Sequence, residues 1–148
     1  MSARAAALAA AIGAMTIAAC SGGGGDSAFP CDLLETDEIQ AALGEPVAEG
    51  NDSETGGIQF CSWEIEDGNG RVRIGVLNVP NADALMDMGT NTEEIDELGD
   101  RAQVGPAGNV AVAVGDRIFQ FDVLDTDLPA DEVAEIDEEL ARKAIPRV

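Results

Sequence analysis

Polar and apolar positions recur along this chain at two periods, and the two alternate. Three stretches repeat near the helical period. In the first, Thr36 stands as an N-cap, Asp37 and Glu38 fill the first turn where acids favour the helix dipole, and Ile39, Ala42 and Leu43 share a face. Gly44 is placed to end that helix and Pro46 to prevent its resumption. In the second, Asn81 caps a short helix holding Leu85 and Met88 and closed by Gly89, with a weaker helical turn from Thr92 to Leu98. The third runs from Pro129 to Ile145, with Val133, Ile136, Leu140 and Ala144 in one stripe. Acids crowd its N-terminal half, Arg142 and Lys143 sit near its end, and Pro146 stops it.

Other stretches alternate at period two. Phe60, Ser62 and Glu64 interleave with Cys61, Trp63 and Ile65, as a half-buried strand requires. Asp67-Gly68-Asn69-Gly70 is a strong hairpin signal, and Arg71 to Val79 returns with Val72, Ile74 and Val76 on one face. Val110, Val112 and Val114 make a further strand, Gly115-Asp116 turns it, and Ile118 to Leu124 returns. Residues 49–57 are polar and glycine-rich and read as a loop, as do Val104 to Asn109. The order is helix, hairpin, helix, hairpin, helix. It predicts an α+β domain: an antiparallel sheet of about four strands, in two hairpins, with helices packed on it.

The N-terminus belongs to neither pattern. Ala5 to Ala19 is fifteen residues without a charge, preceded by Arg4 alone. That length suits the apolar core of an export signal and falls short of the roughly 20 residues that span a bilayer. It closes on Ile17-Ala18-Ala19-Cys20, which resembles the lipobox of bacterial lipoproteins. The resemblance implies cleavage after residue 19, lipid on Cys20, a flexible tether over residues 20–29 led by Gly22 to Gly25, and one domain over residues 30–148. Stable anchoring takes two or more acyl chains, at about 0.8 kcal/mol per buried methylene. Ser21, rather than aspartate, follows Cys20, which in a Gram-negative cell favours the outer membrane facing the periplasm; in a Gram-positive cell the outer face of the plasma membrane takes its place.

Charge and cysteine count narrow the choices. Removing Arg4 with the signal leaves seven cations against 29 acids, a formal charge of −22. Nucleic acid is excluded as a partner, because its binding rests on lysine and arginine neutralising phosphates, and so is docking of the domain surface on anionic headgroups. There are three cysteines. With Cys20 acylated, Cys31 and Cys61 remain, and an oxidising compartment pairs them. Zinc is the rival reading for the two, but zinc sites take about four close ligands, and the chain has no histidine and no Cys-x-x-Cys.

The same absence of histidine removes Ser-His-Asp and Cys-His catalysis. No Gly-x-Ser-x-Gly elbow and no phosphate-binding glycine loop is present. Asp125, Asp127 and Asp131 resemble the start of a calcium loop, yet Pro129 and Ile136 stand where an EF-hand needs a fifth-position ligand and a closing glutamate. Asp100-Arg101 reads as a turn with a local ion pair, and Trp63, beside a cysteine, as core.

Pro30-Cys31-Asp32-Leu33-Leu34, Thr36-Asp37-Glu38-Ile39, Leu43-Gly44 and Cys61-Ser62-Trp63 together resemble a family of uncharacterised bacterial exported lipoproteins. Leu98-Gly99-Asp100-Arg101-Ala102, the valine strand before Gly115 and the closing amphipathic helix fit the same pattern. The resemblance implies a domain of unknown function with a Cys31–Cys61 disulfide, and it carries over no catalytic residue, metal or cofactor. The expectation is a non-catalytic domain anchored to the membrane through Cys20, binding or supporting a protein partner in the cell envelope. The alternative is a small-ligand or weak calcium-binding module.

Overall fold

A computed structural model describes residues 29–66, 68–87 and 92–148. Its centre is one seven-stranded antiparallel sheet, β1 (Asn51–Thr55), β2 (Ile58–Glu64), β3 (Arg71–Asn78), β4 (Glu93–Ile95), β5 (Arg101–Val104), β6 (Val110–Val114) and β7 (Arg117–Leu124), in the order β1-β2-β3-β7-β6-β5-β4. Two meanders, one of three strands and one of four, join through their last members, β3 and β7. The expected four-strand sheet is therefore wrong by three strands. Both anticipated hairpins are there, β2 with β3 and β6 with β7, but the first meander adds β1 and the second adds β4 and the four-residue β5, whose alternation is too short to stand out. β1, inside the stretch read as a loop, is an edge strand exposed at every residue, so no apolar face marks it. β4 replaces the helical turn expected from Thr92 to Leu98; three residues are too few to show a period.

Three α-helices accompany the sheet: α1 (Thr36–Leu43), α2 (Ala82–Met86) and α3 (Ala130–Ala144), with 3-10 turns at Pro30–Asp32 and Ile145–Arg147. Thr36 is the first helical residue of α1 rather than its cap. Glu35 takes the cap position, and its N–H donates to Glu38 Oε2 at 2.9 Å. Gly44 adopts the left-handed conformation at the end of α1. α2 stops at Met86, and Met88 and Gly89, expected to complete it, lie outside the described residues, as does Asp67 of the hairpin signal. Pro146 does not end the last helix abruptly; the chain tightens into the 3-10 turn. Among the described residues no helix is long and apolar enough to cross a membrane.

Register decides which side chains share a face. Trp63, Val72 and Val123 lie in one row across β2, β3 and β7; Cys61, Ile74, Phe121 and Val110 form the next, extended through β6, and Val76, Phe119, Val112 and Ala102 a third, from β3 to β5. All are buried. α3 closes this face over β6 and β7, α1 packs beside α3, and the first 3-10 turn covers β2 and β3. Arg147 ties the end of the chain to α1 with a two-pronged ion pair to Glu38, at 2.6 and 2.7 Å. That guanidinium, and the Glu35 N–H after it, hold the Glu38 carboxyl down at about 2.

The turn between β5 and β6 is pressed against the start of α3. Gly108 there has φ +90°, and a Cβ would stand 2.8 Å from the Cβ of Val133. Gly108→Ala would combine a left-handed backbone with an overpacked contact. It is expected to cost about 2–4 kcal/mol in urea unfolding, whereas Gly115→Ala, at φ +60° with open space around it, should cost about 1 kcal/mol.

Candidate functional site

The second face of the sheet is covered over only part of its width. Ala82 and Met86 of α2 pack on Ala113, with Ala111 and Ile118 around them. The other part, over β1, β2, β3 and β7, stays open and carries polar side chains. Ser53 and Thr55 of β1, Phe60 and Ser62 of β2, and Arg71 and Arg73 of β3 line a concavity of about 350 Å³ there. Strand alternation places them together, since the partners of the buried residues on each strand must point the other way. Phe60 lies opposite Gly75. A Cβ at Gly75 would come within 3.1 Å of the Phe60 ring, so the glycine makes room for the ring to lie over β3.

Arg73 stacks over Phe60, its guanidinium 5.0 Å from the ring centroid. Its Nη2 donates to Asp122 Oδ2 at 3.1 Å, and Asp122 is nearly buried. Arg71 donates from Nη2 to Asp125 Oδ2 at 3.0 Å, but here the acid side chain is 67% exposed. The Nε atoms of both arginines are buried and meet no acceptor among the described residues. Asp125 holds its position with φ +58°, an unusual conformation for a residue with a side chain.

Cys31 and Cys61 stand at disulfide distance and are joined, with Cα atoms 5.0 Å apart. The bond fastens the first 3-10 turn to β2 beside Trp63, which is fully enclosed. Asp52 lies across from Cys61, and its carboxylate and the two sulfurs fall within 4.8 Å of one another. This is the one such cluster among the described residues, and with the sulfurs bonded to each other neither is a thiolate able to hold a metal. Asp125, Asp127 and Asp131 are not brought together, Asp125 being turned onto Arg71. Asp100 and Arg101 do not pair with each other. Asp100 accepts from the Gly115 N–H at 2.7 Å, while Arg101 pairs with Asp87 and Glu94. Cys20, the expected lipidation site, and residues 1–19, expected as an export signal, lie outside the described residues.

One titratable group escaped the sequence reading. Asp137 occupies a fully buried position on α3, alongside Val133, Leu140, Ala141 and Ala144, whereas Ile136, expected in the stripe, is only half-buried. Its Oδ2 accepts from the Val123 N–H at 3.3 Å, beyond the last β6 residue paired with β7, and its Oδ1 has no partner among the described residues. Burial, aided by the charge of Asp122, pushes its carboxyl up to about 8. The only hint in the sequence is spacing, four residues after Val133 and three before Leu140. A raised carboxyl in a cleft is what acid–base chemistry needs, but this one is sealed from solvent and closes a strand edge. No protein-family model, curated protein or solved structure matches the chain.

Proposed function

We propose that the chain is an exported bacterial lipoprotein, cleaved after residue 19, anchored through lipid on Cys20, and presenting a non-catalytic domain that binds or supports a partner in the cell envelope. The observation that carries this reading is the joined pair Cys31–Cys61, which leaves Cys20, at the end of the lipobox-like Ile17-Ala18-Ala19, as the remaining cysteine of three. Stable disulfides belong to oxidising compartments, in keeping with export. The resemblance to exported lipoproteins points the same way, and the tether would meet the folded domain at Phe29. The open part of the sheet is the surface such a domain would offer. A small-ligand module is the second reading, favoured by the concavity at Arg71 and Arg73. Calcium loses its support, because Asp125 is engaged by Arg71.

Intact mass of the protein isolated from its native membrane tests the anchor. The expected mass starts at Cys20 and includes two or three acyl chains, and reduction adds two protons. A chain that keeps residues 1–19, or begins at Cys20 without acyl mass, would refute it.

A further inference from the structure

We infer that the concavity on the open sheet face is a binding site for a small monocarboxylate with a flat apolar body. This deepens the reading of the domain as a binding module and rests on it. Of seven cations that follow the signal segment, two stand side by side here, two residues apart on β3 and on the same face. Each guanidinium offers five N–H donors in a fixed fork that matches a carboxylate. Arg71 and Arg73 each show one side-chain hydrogen bond, from Nη2, and each leaves a buried Nε unpartnered among the described residues.

The two arginines differ in what holds them. Arg73 is fixed by the nearly buried Asp122 and by Phe60, and so belongs to the scaffold. Arg71 is held by Asp125, an exposed side chain that an incoming carboxylate can displace oxygen for oxygen. Asp125 thus occupies the site as an internal stand-in for the ligand. The hydroxyls of Ser53, Thr55 and Ser62 line the same hollow and can donate to a second carboxylate oxygen, and the rim of Phe60 offers apolar contact to the ligand's body. The surrounding charge of −22 limits the choice of anion, since it repels polyanions far more strongly than a single carboxylate.

The test titrates benzoate into the full mature chain in detergent micelles, following backbone amide shifts, with benzamide as the uncharged analogue. Saturable shifts confined to residues 53–62, 71–75 and 120–125 are expected, with benzamide weaker by tenfold or more, the ratio a charge-assisted hydrogen bond carries. Arg71→Gln should weaken benzoate by a similar factor. Asp125→Asn, which suits the left-handed backbone and removes the competing charge, should tighten it severalfold, a gain that mere loss of structure would not produce. Absent saturation, equal binding of benzamide, or an unchanged or weakened Asp125→Asn variant would overturn the assignment. An acylated chain indifferent to benzoate refutes the site alone, and an unacylated chain that binds it refutes the anchor alone.

Discussion

Between about pH 4 and pH 8 the unfolding free energy is expected to fall as pH rises, by up to about 1.4 kcal/mol per unit. The cause is Asp137. Its carboxyl, raised from 3.8 to about 8 in the folded state, keeps a proton there that the unfolded chain releases from about pH 4 upward. The folded state binds more protons across that window, so its advantage is complete below the unfolded value and is lost as pH passes the folded one. The upper half of the window is otherwise quiet, because the chain has no histidine and Cys31 and Cys61 are bonded. Asp122, whose charge acts on Asp137, is itself paired with Arg73. Urea unfolding at closely spaced pH values would trace the slope. Asp137→Asn should flatten it between pH 5 and pH 8. The variant should be less stable at pH 5, where an amide replaces a neutral acid with one oxygen unpartnered, and more stable than wild type above pH 8. A variant that keeps the wild-type slope would show that Asp137 is not the group responsible.

Replacing Cys31 and Cys61 together with alanine is expected to lower the unfolding free energy by about 3–4 kcal/mol, the loop-closure value for cysteines 30 apart. A domain of this size has only about 5–15 kcal/mol to lose. The cost arises mainly in the unfolded chain, which gains freedom. The folded state also loosens, because the turn at Pro30–Asp32 is fixed on β2 by that bond. Wild type unfolded with and without reductant supplies the control, and the double variant should match the reduced protein. A loss below about 1 kcal/mol would mean that Leu33, Leu34 and Ile39, all buried, already hold the segment against the sheet.

What the sequence shows and hides follows from burial. β2, β3, β6 and β7 are legible because buried apolar residues recur at every second position, as Cys61 and Trp63, Val72, Ile74 and Val76, Val110 and Val112, and Phe119, Phe121 and Val123 do, and α3 because an apolar stripe, an acidic start and a basic end agree. β1 has no buried side chain and β4 no room for a period, so neither differs from a loop until its partner strand is known. The open-face concavity was hidden for a related reason. Arg71 and Arg73 fall on the polar side of an alternating strand, where arginine is ordinary, and only the β1–β2–β3 register brings Ser53 and Phe60 beside them. Asp100 reads as the neighbour of Arg101, but it lies in the bend just before β5, and each side chain finds its partner on another segment, Gly115 for Asp100 and Asp87 and Glu94 for Arg101.

The bond from Cys31 to Cys61 also sets how the domain bears load. A pull on the chain at Phe29 does not first peel away the turn at Pro30–Asp32 and then α1. Two residues on, it passes through sulfur into β2, flanked on both sides by hydrogen-bonded neighbours, β1 and β3. Force along β2 would have to shear both ladders at once rather than unzip them one bond at a time. With the bond reduced, the same pull reaches the sheet only after the N-terminal segment and α1 have given way, so the redox state of one cysteine pair selects where the molecule begins to yield.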